Sequence, residues 1–320
     1  SKWLKLANSV KLRLAMRICY VKPDLAKQYA MEAVRDGVME TADDSALFQS
    51  WGSITIINPL EKIWNGYSDT RMGASMDSYL NGYNDPRLPV YFQPVTEGDN
   101  KGEYRGVANG MPNPQQDDYK AMSAPNVQEK STDSPLRWMM ASEVAFLRAE
   151  GAMRGWTAEM GGTAEEFYNK GIELSFLENG LSADAAARYA ADETSKPTDF
   201  TDVSAANTKY NISALGKITI KWNAGASEEE QLERIITQKW IAMFPNGTEA
   251  WSEFRRTGYP LIFPVRSNYP TSGVDTNKQI RRMVFPQSEY SNNGAAVQEA
   301  VKLLGGPDNG GTKLWWDKKN

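Results

Sequence analysis

The strongest pattern of hydrophobic positions in the chain begins at residue 227 and predicts a helix. Ser227 and Glu230 have the spacing of a capping box, in which a hydroxyl and a carboxylate satisfy free backbone N–H groups at a helix start. Apolar residues then recur three or four positions apart, which places them on one face: Leu232, Ile236, Trp240 and Met243. This face is expected to pack against the interior of the protein.

A shorter helix is predicted directly after the first one. Pro245 lacks a backbone N–H and ends the first helix, and Asn246 or Thr248 can cap the second. Glycine is common just past the end of a helix, so the second helix is predicted to end near Gly258. Residues 227–257 are therefore predicted to form a helical hairpin.

Two further helices are predicted near the start of the chain, over residues 3–37. The first has apolar residues at helical spacing from Trp3 to Ile18, and the second begins at Pro23 and stops at Gly37. The pair resembles one tetratricopeptide-like unit, which needs neighbouring units to cover its apolar face. We therefore expect that more chain precedes residue 1 in the natural protein.

A third helical hairpin is predicted between residues 140 and 180. The stretch SPLRWMMASEVAFLRAEGAMRGW, which starts at Ser134, has a helical pattern with alanines spaced so that another helix can approach closely. Thr163 and Glu166 form a second capping box, and the helix that begins there is predicted to end at the Asn-Gly pair at 179–180.

The region between the first and third hairpins, residues 38–135, is predicted to be rich in loops. Gly, Pro, Asn and Asp are scattered through it and break the hydrophobic periodicity. Only residues 53–57 have the β-branched content of a strand, and residues 73–80 fit a short helix. Long loops in a compact domain are often functional, so this region is the first place to look for a binding site.

Beyond residue 180 the predicted elements are short, apart from the hairpin at 227–257. A helix is predicted to begin at Ser182, a strand is predicted in KITIKWN at 217–223, and a helix is predicted from about Ala295 to Leu304. The chain continues to LWWD, whose two tryptophans, Trp315 and Trp316, are expected to be buried.

Composition and charge describe a globular protein with an ordinary core. The 320 residues are 41% hydrophobic and 24% charged, and we predict that they form one large domain. There are 36 basic and 40 acidic residues and no long basic run, so nucleic acid is not an expected partner. No apolar stretch has the roughly twenty residues needed to span a bilayer.

The absence of histidine and the single cysteine exclude several classes of enzyme. Without histidine there is no Ser/His/Asp or Cys/His triad and no HExxH zinc site. Cys19 lies in the apolar pattern of the first helix and is expected to be a buried, inert thiol. DNKGE at 99–103 lacks the spacing of oxygen ligands in a calcium loop, so no metal-binding residue and no cofactor are predicted, while a calcium ion held by loop carbonyls stays open.

Four segments carry a resemblance to a known family. They are RWMMASEVAFLRAEGAMRG at 137–155, ITQKWIAMFPNGTEAWSEFRRTGYP at 236–260, RRMVFPQSEYSNN followed by LWWD, and DPR at 85–87 followed by LPVYF. Together they resemble the SusD/RagB family of outer-membrane, nutrient-binding lipoproteins, and the resemblance covers essentially the whole chain. The first two segments are expected to pack in the core, and the DPR segment to tie a loop to the helices.

The resemblance implies a mostly α, SusD-like fold in which tetratricopeptide-like helical hairpins support a loop-rich, ligand-binding face. It divides the predicted domain into a hairpin at 1–37, a loop region at 38–135, and helical hairpins with an irregular tail at 136–320. It implies that the protein captures a glycan at the cell surface and delivers it to a SusC-like TonB-dependent transporter. The outer-membrane location and the N-terminal lipid anchor, which is not in this chain, also rest on the resemblance.

Two stretches of the loop region contain the residue types that bind sugars. Flat C–H faces of sugar rings stack on aromatic rings, and hydroxyl groups pair with amide, carboxylate and guanidinium groups. The predicted ligand-binding residues are Trp64, Asn65, Tyr67, Asp69 and Arg71 in one stretch and Tyr104, Arg105 and Asn109 in the other. Any one of these aromatic residues could instead fill the interior, so the prediction concerns the set.

Two other functions stay open at this point. A glycoside hydrolase needs only a pair of carboxylates, which 40 acidic residues could supply, although none of them lies in a motif that would separate two pKa values. A protein-interaction scaffold is the second alternative, because tetratricopeptide-like surfaces bind peptides. We predict no catalytic residue and hence no enzyme.

Overall fold

The computed structural model describes residues 1–111, 115–126 and 134–319, except for the side chains of Asn65 and Pro270. The helices in these ranges are α1 (Lys2–Arg17), α2 (Pro23–Arg35), α3 (Pro59–Glu61), α4 (Ala74–Gly82), α5 (Leu88–Tyr91), α6 (Gln116–Tyr119), α7 (Ala141–Met153), α8 (Thr157–Met160), α9 (Ala164–Leu177), α10 (Ala183–Ala190), α11 (Glu228–Ala242), α12 (Gly247–Thr257) and α13 (Gln287–Leu304). The predicted mostly α fold is confirmed. Among the described residues, no helix is both long and apolar enough to cross a bilayer.

The described strands form one small antiparallel sheet, β1 (Ala46–Phe48) with β2 (Leu136–Met139). The helical pattern predicted from Ser134 onward does not hold for its first residues, because Leu136–Met139 form β2 and pair with β1 before α7 begins at Ala141. The hydroxyl of Ser45 accepts a hydrogen bond from the Ala141 amide at 2.9 Å, which fixes the first turn of α7. The sheet therefore joins the loop region to the helices.

The two strands predicted at 53–57 and 217–223 do not form. In the first segment Ile54 and Ile57 are exposed, and the backbone makes one isolated bridge, between Trp51 and Ile54. The second segment does bury alternate side chains, but other side chains satisfy its carbonyls: the Tyr83 hydroxyl donates to Ile218 O at 3.2 Å. A hydroxyl can replace a neighbouring strand as a donor, so alternation in a sequence does not guarantee a sheet.

The helix starts and stops follow the predicted caps closely. The Thr163 capping box forms in both directions, and Ser182 and Asn246 cap α10 and α12. At Ser227 only half of the box is present, since its hydroxyl accepts from the Glu230 amide at 3.3 Å while the Glu230 carboxylate pairs with an arginine.

Two hydrophobic clusters meet along α7 and α9. One cluster joins α1 and α2 to one side of α7, as Leu12, Ala30 and Leu147 illustrate. The other joins α4, α9 and α11 through residues such as Phe146. Gly171 lies against the Phe146 ring, and a Cβ atom there would be 2.7 Å from it. The glycine therefore lets α9 approach α7 closely.

Buried ion pairs hold the loops and helices in register. Arg87 is fully buried and pairs with Asp85 at 2.6 Å, while it donates to Gln238 at 3.0 Å. These bonds confirm that the DPR segment ties a loop to the helical core. Cys19 is buried as predicted.

The C-terminal part departs from prediction in two places. The last helix begins at Gln287 rather than near Ala295, and its backbone is non-helical at Asn293. Trp316 lies between Arg17 and Arg255, with guanidinium-to-ring distances of 5.2 and 4.9 Å. Trp315 is 63% exposed, so its predicted burial was wrong. Trp316 already contacts Arg17 and Arg255, and the Trp315 ring is left in solvent.

Candidate functional site

A cleft of about 420 Å³ opens in the loop region. We call it the Asp69–Asn109 cleft, after two polar residues that line it. It lies between the loop that precedes α4, the segment around Val107, and α6. Backbone hydrogen bonds hold these pieces together: Val107 N donates to Met72 O at 2.8 Å, and Met72 N donates to Ser123 O at 2.7 Å. The lining residues are Ser68, Asp69, Arg71, Met72, Gly73, Val107, Asn109, Gln115, Gln116, Tyr119 and Lys120.

Arg71 fixes one wall of the cleft. Its guanidinium donates to the backbone oxygens of Ser68, Thr70, Tyr119 and Lys120 at 2.7 to 3.2 Å, and to the Ser68 hydroxyl at 3.4 Å. All five of its N–H groups therefore have a partner within the protein. Burial lowers the pKa of Arg71 below its usual value, which leaves the group charged at neutral pH.

The Trp64 ring lies over Arg71, with the guanidinium carbon 5.0 Å from the ring centre. Such cation–π contacts contribute on the order of 0.5 to 1 kcal/mol at exposed sites. Trp64 is half-buried and lies outside the cleft lining. Arg71 therefore positions this ring beside the cleft, whereas the sequence predicted that Arg71 itself would bind the ligand.

Asp69 and Tyr67 lie at the same edge of the cleft. The Gln116 amide donates to Tyr67 O at 3.2 Å and to Asp69 Oδ1 at 3.4 Å, so α6 holds the loop that carries them. Asp69 lines the cleft, whereas the Tyr67 side chain is 54% exposed, with Lys62 Nζ 5.7 Å from its ring centre. Tyr67 thus presents an open aromatic face to solvent.

Asn109 provides a polar side chain on the opposite wall. Its backbone oxygen accepts from the Arg266 amide at 3.0 Å, which anchors the loop. Its side-chain amide is exposed and forms no hydrogen bond with the part of the chain that the structure describes. Donor and acceptor groups of Asn109 are therefore available to a ligand.

The other predicted site residues do not line this cleft. The Arg105 guanidinium pairs with Glu103 at 2.8 Å, and Tyr104 packs partly against the hydrophobic core. The Asn65 side chain lies outside the described residues. The structure thus brings together Asp69, Arg71 and Asn109, with Trp64 and Tyr67 next to them.

Two groups of residues at this face were missed from the sequence. Gln116, Tyr119 and Lys120 line the cleft because α6 folds against the first loop, and nothing in their spacing indicates this. Exposed aromatic residues also lie before and after the cleft-lining segments in the sequence, at Trp51 and Trp138. The Trp51-Gly52 pair at a turn was a usable signal, since a tryptophan at a tight turn has little core to fill.

The polar groups in the described lining of the cleft are of the kinds that bind sugar hydroxyls. Asp69 is the one carboxylate in the described lining, and retaining or inverting glycosidases need a pair. Its other polar groups are amides, a phenol, a hydroxyl, a lysine and the fully bonded Arg71. Such groups orient hydroxyls, and the neighbouring aromatic rings can stack on a sugar face.

Solved structures similar to this one are SusD homologues. A chitin-binding SusD homolog from Flavobacterium johnsoniae shares 43% identity and a TM-score of 0.91, over 100% of this chain and 64% of that one. A SusD-like protein from Bacteroides thetaiotaomicron shares 44% identity, with a TM-score of 0.91 over 99% of this chain and 64% of that one. A SusD homolog from Bacteroides vulgatus shares 38% identity, with a TM-score of 0.92 over 100% and 63%.

The chain spans less than two thirds of the length of each of these structures. No curated protein matches the sequence. The family profile of SusD-like proteins, described as Susd and RagB outer membrane lipoprotein, matches residues 1–317. A match of this length, together with the shared fold, confirms the resemblance found in the sequence. The chain belongs to the SusD/RagB family of outer-membrane lipoproteins.

Proposed function

We propose that this chain binds a glycan at the Asp69–Asn109 cleft, with Trp64 and Tyr67 as adjoining aromatic platforms. The observation that carries the proposal is the exposed side-chain amide of Asn109, which lines the cleft without a partner among the described residues, beside the exposed Tyr67 ring and the half-buried Trp64 ring. Hydroxyls of a sugar would pair with Asn109 and Asp69, and one ring face would stack on Trp64 or Tyr67. Arg71 would keep the Trp64 ring in place.

The first ligands to test are oligomers of β-linked N-acetylglucosamine. One relative with 43% identity is described as a chitin-binding SusD homolog, which supports this choice of sugar. The protein would release its ligand unchanged, because the described lining of the cleft contains one carboxylate. It would act at the cell surface and pass the glycan to a SusC-like TonB-dependent transporter, in keeping with the outer-membrane description of its family.

The proposal is tested with a glycan array followed by calorimetry on Asn109→Ala. Asn109 is exposed, so its truncation should leave the melting temperature unchanged and weaken glycan binding about two- to twelvefold, since a hydrogen bond contributes about 0.5 to 1.5 kcal/mol. Asn292→Ala, an exposed asparagine on α13, is the matched control. Undiminished affinity in Asn109→Ala, or binding of peptides and no glycan, would contradict the proposal and favour a scaffold.

A further inference from the structure

A larger cleft lies elsewhere and shares no lining residue with the Asp69–Asn109 cleft. It has a volume of about 720 Å³ and opens between β2, the end of α9 and the turn between α11 and α12. We call it the Trp138 cleft, after the exposed tryptophan on β2 that lines it. Its volume is within the range of roughly 300 to 1,000 Å³ that is typical of ligand pockets.

Apolar groups form much of its wall. Trp138 is 47% exposed and stacks on Phe48, with ring centroids 5.0 Å apart and an angle of 19° between the planes. Phe244 and Leu60 also line the cleft. The stacked pair makes a rigid, flat surface, which suits the C–H face of a sugar ring.

Two polar side chains of the Trp138 cleft carry donors without a described partner. Arg137 Nη2 bonds to Glu178 O at 3.4 Å and to Asn179 Oδ1 at 3.0 Å, whereas its Nε and Nη1 have no partner among the described residues. Asn246 Oδ1 accepts from the Glu249 amide at 3.3 Å as the cap of α12. This leaves the Asn246 side-chain N–H groups without a described partner.

The charge of the lining also favours a ligand that accepts hydrogen bonds. Arg137 is the one charged residue in the described lining, and it bonds there to uncharged oxygens. The described lining thus holds unpaired donors and one cation but no carboxylate. Such a surface suits a ligand that brings acceptor oxygens. A carbonyl or carboxylate oxygen is a stronger acceptor for a guanidinium than a sugar hydroxyl is.

We propose that the Trp138 cleft is a second sugar subsite, for a ring that carries a carbonyl-type oxygen in an acetamido or a carboxylate group. The ring stacks on Trp138, and the oxygen accepts from Arg137 and Asn246. This inference rests on the proposed glycan binding and adds a determinant of which glycans are held. A plain neutral glucan lacks the acceptor and leaves these donors unsatisfied.

The test uses Arg137→Gln and Asn246→Asp. Asparagine and aspartate cap helices about equally well, so Asn246→Asp keeps the cap of α12 while it removes the free N–H groups and adds one negative charge. Arg188→Gln, an exposed arginine on α10, is the matched control. Binding is measured by calorimetry with tetramers of N-acetylglucosamine, galacturonic acid and glucose, at low and at physiological salt.

The wild type should bind one substituted tetramer at least about tenfold tighter than the glucose tetramer, because a hydrogen bond to a charged donor has that effect. Both variants should lose most of this preference, and the control should keep it. A preference that falls with salt identifies the carboxylate, and one that does not identifies the acetamido group. A preference that persists in both variants, or is absent from the wild type, overturns the second subsite alone; failure of every tetramer to bind overturns glycan binding with it.

Discussion

Glu150 and Arg256 form a fully buried, two-point ion pair across 106 residues of sequence, with N···O distances of 2.6 and 2.7 Å. Glu150 lies on α7 and Arg256 on α12, and both belong to segments that carry the family resemblance. Glu253 contacts the same guanidinium at 2.6 Å. Two of the segments that carry the resemblance are therefore joined in the interior by a pair that lines neither proposed binding cleft.

Glu150→Gln should destabilise the protein by up to about 3 to 5 kcal/mol, because Arg154 loses its buried counter-charge and Arg256 keeps only Glu253. Urea unfolding measures this change. Glu299→Gln is the control, since Glu299 pairs with Lys302 on the surface and its loss should cost about 0.5 kcal/mol or less. Equal unfolding midpoints for the two variants would contradict a structural role for the buried pair.

The pH dependence of Glu150 follows from the same contact. Burial would raise the pKa of its carboxyl, but attraction to Arg256 and Arg154 outweighs burial and lowers the pKa to about 2. Because the pKa is lower in the folded than in the unfolded state, the ionised Glu150 stabilises the fold at pH values above its ordinary pKa. This stabilisation is lost as the pH falls towards the folded-state pKa. Acid unfolding should therefore begin at a higher pH in Glu150→Gln than in the wild type.

Ser227→Ala should destabilise the protein by on the order of 1 kcal/mol, because α11 loses the hydroxyl that accepts from the Glu230 amide. Ser227→Asp should restore most of the loss, since aspartate is an equally good cap. Glycan affinity measured by calorimetry should not change in either variant. A folded Ser227→Ala protein with unchanged melting and weakened binding would place the ligand at α11.

Glu233 should make the protein less stable as pH rises. Burial raises the pKa of its carboxyl to about 7, and the Oε1 atom has no hydrogen-bond partner in the described part of the chain. The folded state then holds the proton more tightly than the unfolded state does, so stability falls between the ordinary pKa and about pH 7. Glu233→Gln should raise the melting temperature at about pH 8 and change it little at about pH 4. A gain at the acidic pH alone would contradict this assignment.

The helical part of the fold was predictable because its signals are local. The Thr163 box, Ser182 and Asn246 each begin a helix where their own neighbours indicate. The errors came from contacts over long sequence distances. β2 pairs with β1 about 90 residues earlier, and the extended segment at 217–223 finds hydroxyl donors in place of a neighbouring strand.

The candidate site could be predicted only by residue type. The sequence located residues of sugar-binding type in the loop region, where the structure has a cleft, but it could not show that the donors of Arg71 are taken by backbone oxygens. Nor could it show that Arg105 forms an ion pair with Glu103, or that residues of α6 line the cleft. Which side chains converge depends on loop packing, and no periodicity encodes that.

Binding of a neutral glycan at the Asp69–Asn109 cleft should be largely insensitive to salt. The Arg71 charge is directed at backbone oxygens, and a neutral sugar has no charge for ions to screen. Calorimetry at low and at physiological ionic strength measures this dependence. A steep loss of affinity with added salt would instead indicate an acidic ligand.

The most direct test of glycan binding at these loops is calorimetry on the double variant Trp64→Ala, Tyr67→Ala, with the best ligand from the array. Each lost stacking contact should remove on the order of 1 kcal/mol, so binding should weaken at least about tenfold in a protein that still folds. The control is Trp315→Ala, Tyr269→Ala, which removes two exposed aromatic residues outside the cleft. Full affinity in the folded Trp64, Tyr67 double variant would contradict glycan binding at this site.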